Sequence, residues 1–90
     1  MTEFQESTLK FALAMMTPRQ IDILRRVSKG ESLSWERGAA YIGNQRTTPL
    51  PIDSLLRYCA IAIESEEMGI EHYKITEAGK EILRRLEESR

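Results

Sequence analysis

The chain has 90 residues, of which 41% are apolar and 30% charged, a balance typical of a folded globular protein rather than a disordered one. Its 13 basic and 14 acidic residues give a net charge of -1, so any contact with nucleic acid must come from local charge segregation. A single cysteine and the lack of a long apolar run exclude an intramolecular disulfide, a cysteine-rich zinc site and a membrane span, and we expect a cytoplasmic protein with no targeting segment.

The first predicted element is a helix over about residues 3–16. Its apolar side chains, among them Leu9, Phe11 and Met15, spread over a wide face at helical spacing. Such a face either covers the domain's own core or docks on a second subunit, and the pattern leaves both alternatives open.

The second predicted helix covers residues 18–29 and has the best-marked start in the chain. Thr17 suits the N-cap, Pro18 suits the first helical position, and Gln20 can complete a capping box with Thr17. Gly30 can end this helix.

A third helix is predicted over residues 34–42, because Trp35, Ala39 and Ile42 recur at helical spacing. This spacing favours core packing for Trp35 rather than a role in base stacking. The following stretch, residues 43–51, is rich in polar residues and chain breakers and predicts an exposed loop.

Residues 51–59 predict the next helix, with Ile52, Leu55 and Cys59 on one apolar face. Cys59 is therefore expected to be a small buried core residue.

Residues 60–65 fit either a continuing helix or a strand, and we favour the strand because Ile61 and Ile63 alternate with their neighbours. Beyond a polar turn, Tyr73 and Ile75 alternate in the same way, which predicts a returning antiparallel strand and hence a hairpin. A last helix follows the hairpin.

Thr76 caps this last helix, which closes the run Tyr73-Lys74-Ile75-Thr76-Glu77-Ala78-Gly79-Lys80-Glu81-Ile82-Leu83. The run resembles the wing strand and closing helix of small prokaryotic and phage winged-helix proteins, and three helices followed by a hairpin resemble the winged helix-turn-helix over residues 17–86. The resemblance implies a mainly α fold with a small β-hairpin. The length of the chain predicts one domain over residues 1–90, in which residues 17–90 are expected to form the core with its wing and C-terminal helix and residues 1–16 are a candidate dimerisation helix.

A winged-helix protein of this kind is expected to bind double-stranded DNA, as a small prokaryotic or phage transcriptional regulator does. Its third core helix would enter the major groove. The polar loop that precedes this helix contains more hydrogen-bonding side chains than the helix does, so we expect DNA contacts there as well. Because one small module buries little surface on DNA, we expect a homodimer that pairs through its terminal helices. The candidate DNA-binding residues are Arg37, Asn44, Gln45, Arg46, Thr47, Thr48, Ser54, Arg57, Tyr58 and Lys74.

Two other functions compete with DNA binding. An enzyme is not expected, since one histidine, one cysteine and isolated glycines provide no catalytic constellation, metal site or phosphate loop, and no cofactor is predicted. The stronger alternative is a protein-interaction module without DNA binding, favoured by the nearly neutral net charge and by a hairpin turn with several glutamates. DNA binding and protein interaction differ in where four basic residues should lie. DNA binding predicts that these residues converge on one face, away from the glutamates, and dispersed positions favour protein interaction: Arg37, Arg46, Arg57 and Lys74.

Overall fold

The structure is a computed structural model and describes residues 6–88. This part of the chain contains four helices and five strands. The helices are α1 (Glu6–Met15), α2 (Pro18–Ser28), α3 (Leu50–Arg57) and α4 (Glu77–Glu88). The strands are β1 (Leu33–Glu36), β2 (Ala39–Ile42), β3 (Gln45–Thr47), β4 (Ile61–Glu67) and β5 (Ile70–Ile75).

The five strands form one antiparallel sheet in the order β3-β2-β1-β5-β4. Strand β1 is central, and β3 and β4 are the two edges. In the register of the central strands, Leu33 lies opposite both Ile42 and Tyr73. In sequence, the edge strand β3 precedes α3 and the edge strand β4 follows it.

A single apolar core joins the helices to one face of the sheet. Leu33, Ile42 and Tyr73 are buried on that face and pack in the same cluster as Leu24 of α2 and Ile82 of α4. Because successive strand side chains point to opposite faces, the residues between them lie on the other face. That second face, which we call the open face, carries no residue of the core cluster from β1, β3 or β5.

Several predicted elements are confirmed. The capping box of α2 is present, with the Thr17 hydroxyl accepting from the Gln20 N–H at 3.2 Å and the Gln20 side chain accepting from the Thr17 N–H at 3.1 Å. The hairpin β4–β5 and the helix α4 are present as predicted, and the Thr76 hydroxyl accepts from the Gly79 N–H at 3.0 Å. The turn of the hairpin is shorter than predicted, because β4 continues to Glu67 and includes the glutamates that were expected in the turn. The predicted first helix is seen as α1, and its residues before Glu6 lie outside the described part.

The helix predicted over residues 34–42 is wrong, because this segment forms the hairpin of β1 and β2. Arg37 and Gly38 have φ values of 51° and 81°, the left-handed pair that a two-residue hairpin turn requires. The spacing of Trp35, Ala39 and Ile42 is compatible with a helix, but in the strands Trp35 packs against the core while Ala40 and Ile42 point the same way.

The mainly α, winged helix-turn-helix class is therefore also wrong: the described chain is an α+β fold with a five-stranded antiparallel sheet. A helix-turn-helix needs two successive helices joined by a tight turn, whereas α3 is preceded by β2 and β3. The predicted loop over residues 43–51 contains β3 and the start of α3. Cys59 is exposed rather than buried, in a left-handed conformation with φ of 59° just after α3.

Candidate nucleic-acid interface

Two arginines of α2 reach across to the edge strand β3. Arg19 donates from Nη2 to the Thr47 hydroxyl at 2.9 Å, and Arg26 donates from Nη1 to the Gln45 side-chain carbonyl at 2.9 Å. Arg19 and Arg26 are two helical turns apart, so α2 runs alongside the whole of β3. The polar segment of the predicted DNA loop is thereby fixed against a basic helix.

Arg26 acts mainly as a positioning residue in this arrangement. Its guanidinium binds Glu31 through Nε at 3.0 Å and Nη2 at 2.8 Å. The hydrogen bond from Arg26 holds the pKa of Glu31 below its ordinary value, and the same bond raises the pKa of Arg26. Glu31 neutralises Arg26, and the pair lies against the turn at Gly43, where an added Cβ would be 2.9 Å from Glu31 Oε1.

Arg46 is the exposed cation at the centre of this edge. It lies opposite Tyr41 in the register of β2 and β3, on the open face, and forms no ion pair with any residue in the described range. Arg19 is only loosely paired, since its Nη1 is 4.0 Å from an Asp22 carboxylate oxygen and its side chain is 44% exposed. Arg19 and Arg46 therefore both retain positive charge that faces solvent.

Asn44 and Thr48 border β3 at its two ends, and both are exposed. The structure thus brings all five predicted loop residues together along one sheet edge. Gln45 and Thr47 are bound by the arginines of α2, while Asn44, Arg46 and Thr48 remain free to contact a ligand. We call Arg19, Asn44, Arg46 and Thr48 the basic edge.

Two other candidate DNA-binding residues, Arg37 and Lys74, lie outside the basic edge. Arg37 lies in the turn between β1 and β2, at the opposite end of β2 from Asn44. Lys74 shares the open face with Arg46, but β1 and β2 separate their strands. It lines a shallow groove of about 540 Å³ together with His72 and Glu67.

The residues predicted on α3 are also dispersed. Arg57 pairs with Asp53 across one helical turn at 3.3 Å. Tyr58 packs against the core, with its ring centroid 6.0 Å from that of Phe11, and Ser54 is half-buried. Arg46 therefore lies at the basic edge without the three other basic residues that DNA binding was expected to bring beside it. A DNA surface built from all four is not formed: Arg37, Arg46, Arg57 and Lys74.

The glutamates occupy the opposite edge of the sheet. Glu64, Glu66 and Glu67 lie on β4, which is separated from β3 by the three other strands. The sheet therefore has one basic and one acidic edge although the chain is nearly neutral overall. The polar loop was predicted from the sequence, but no local signal indicated that it lies beside the basic residues of α2, because β3 itself was not predicted.

The chain has no significant match among protein-family models, curated proteins or solved structures. Within residues 6–88, no helix is both long and apolar enough to cross a membrane. Over the same range, no group of three histidine, cysteine or acidic side chains is arranged to hold a metal ion.

Proposed function

We propose that the protein binds double-stranded DNA through the basic edge, as a small transcriptional regulator. The observation that supports this proposal is the charge segregation around the sheet: Arg46 of β3 and Arg19 of the adjacent α2 flank one edge from its two faces, and the glutamates of β4 lie on the other edge. Phosphate backbones attract such a local cationic surface even when the net charge of the chain is near zero.

The basic edge suits phosphate contacts better than base recognition. Arg19 and Arg46 provide charge, and Asn44 and Thr48 provide hydrogen bonds of the kind that go to phosphate and sugar oxygens. Two solvent-facing cations per chain, Arg19 and Arg46, predict a salt slope of only about -2 per chain, since each neutralised phosphate contributes roughly -0.9. Strong binding then requires more than one chain on the duplex.

A homodimer meets this requirement, and α1 is the terminal helix that supports it. Phe11 and Met15 of α1 are 57% and 55% exposed, whereas α4 buries Ile82 and Leu83 in its own core and covers its outer side with ion pairs. We therefore propose α1, rather than both terminal helices equally, as the dimer contact.

The test is fluorescence anisotropy with a labelled duplex of about 20 base pairs at several salt concentrations. Arg46→Gln should weaken binding several-fold and reduce the salt slope by about 1. Arg37→Gln is the matched control, because it removes one exposed arginine from a turn far from the basic edge. Equal losses from the two variants, or no binding by the parent protein at low salt, would refute the proposal.

The dispersal of Arg37, Arg57 and Lys74 instead favours the protein-interaction alternative. The surface that fits a protein partner lies away from the basic edge, on β4. Both surfaces can be tested separately because they occupy opposite edges of the sheet.

A further inference from the structure

Strand β4 presents a long, uncovered sheet edge. It has seven residues, compared with three in β3 at the other edge. Residues 63–67 are all exposed, so the described chain leaves the outer side of this stretch open to solvent. The outer backbone N–H and C=O groups of such a strand are a template on which another extended segment can pair.

The charge along this edge is strongly acidic, and it is not paired with a cation in the described part of the chain. Glu64, Glu66 and Glu67 form no ion pair with any residue between 6 and 88. Glu66 also lies directly opposite Glu71 of β5, and like charges at opposed positions of an antiparallel pair destabilise it. A cation placed beside Glu66 would therefore relieve a repulsion that the isolated chain retains.

The same features determine which strand the edge accepts. Pairing β4 with β4 of a second copy would bring the glutamates of both chains together, which disfavours self-association. The register shift between Ile63 and Ser65, which leaves Glu64 as an extra residue, further limits indiscriminate pairing. A basic strand gains opposite-charge contacts where an acidic or identical strand meets repulsion.

We propose that the β4 edge binds an extended basic segment of a partner protein by strand addition. Alternate side chains of that segment lie on the two faces of the sheet, so its lysines or arginines meet Glu66 on one face and Glu67 on the other. Ile63, which is 52% exposed on the same edge, provides a contact for an apolar side chain of the segment. This interaction is distinct from DNA binding because it uses the opposite edge of the sheet.

The test uses the full chain and two fluorescein-labelled peptides of about nine residues, the length of one long strand. In the first, pairs of lysines alternate with pairs of threonines, so that neighbouring lysines lie on opposite faces of the sheet; in the second, two of the threonines are replaced by proline, which keeps the charge but cannot complete a strand ladder. Anisotropy should show the alternating peptide binding at least about tenfold tighter than the proline peptide.

The protein variants separate the edge from general electrostatic attraction. Glu66→Gln combined with Glu67→Gln should weaken binding of the alternating peptide at least about fivefold. This variant should fold, as checked by circular dichroism, since it removes the repulsion between Glu66 and Glu71. Glu77→Gln combined with Glu87→Gln is the matched control, as it also removes two exposed glutamates, both on α4, and it should leave binding unchanged.

Three results would overturn the proposal. They are the absence of binding by both peptides, equal binding of the alternating and proline peptides, and equal losses from the β4 variant and the α4 control variant. The second result would indicate charge attraction without strand pairing. None of them bears on DNA binding, which is measured on Arg46 at the other edge.

Discussion

Replacing Gly79 by alanine should destabilise the protein, although alanine is the better helix former. A Cβ at Gly79, in the first turns of α4, would lie 2.2 Å from the Ala60 carbonyl oxygen and 2.8 Å from Ile75 Cγ1. The first of these atoms belongs to the backbone and already accepts the Thr76 N–H at 3.0 Å. Gly79→Ala must therefore move α4 away from the segment that enters β4.

The magnitude follows from opposing effects. Alanine stabilises a helix interior by about 1 kcal/mol relative to glycine. Overpacking destabilises by roughly 1–3 kcal/mol, and weakening the hydrogen bond to Ala60 removes about 1 kcal/mol more. The net expectation for Gly79→Ala is a loss of about 1–3 kcal/mol in the free energy of unfolding. At roughly 4–8 °C per kcal/mol for a chain of this size, Tm should fall by about 5–20 °C.

Thermal and guanidinium unfolding followed by circular dichroism measure this loss. The neighbouring exposed residue provides the control, since Lys80→Ala should change stability by no more than about 0.5 kcal/mol. A Gly79→Ala protein as stable as the parent, or more stable, would show that α4 does not approach Ala60 as closely as described.

Three further predictions concern the helices. Thr17→Ala removes the capping box of α2 and should lower the free energy of unfolding by about 1 kcal/mol in chemical denaturation, whereas an unchanged midpoint would mean that the cap is not formed. Hydrogen bonds from Arg84 and Arg85 lower the pKa of Glu81 to about 2 from 4.5, so their stabilisation is complete above pH 4.5 and is lost as the pH falls towards 2. Between pH 6 and pH 3, Tm should consequently fall less in Glu81→Gln than in the parent protein, and parallel profiles would contradict this assignment. Replacing the exposed Phe11 and Met15 by serine should shift the protein from dimer to monomer in sedimentation velocity, and a parent protein that is monomeric at high concentration would exclude dimer contact through α1.

The elements with local signals were predictable from sequence. Thr17, Pro18 and Gln20 specify the start of α2 within four residues, and the observed capping box uses the same atoms that the pattern indicates. The alternation around Tyr73 and the cap at Thr76 likewise locate β5 and α4. In these segments the determining interactions are between near neighbours in the chain.

The first three strands were missed because their determinants are distant in sequence. Strands β1 to β3 have only three or four residues each, too few for a clear alternation, and the apolar spacing from Trp35 to Ile42 also fits a helix. What decides the structure is the left-handed turn at Arg37 and Gly38 together with pairing of Leu33 to Tyr73. That pairing joins segments on opposite sides of α3.

The candidate site was predictable only in its composition. The polar residues from Asn44 to Thr48 stand out in the sequence as hydrogen-bonding side chains, and the structure keeps them together. The contacts of Arg19 and Arg26 with this segment depend on the tertiary packing of α2 beside β3. For the same reason, the separation of basic and acidic edges follows from strand order rather than from any motif.

Binding of DNA at the basic edge is tested most directly by adding a short DNA duplex to isotope-labelled protein and following amide chemical shifts. The largest changes are expected at Asn44, Arg46 and Thr48 and at Arg19 of α2, and they should diminish when salt is raised. Shifts concentrated on the β4–β5 hairpin, or none at low salt, would contradict DNA binding at the basic edge.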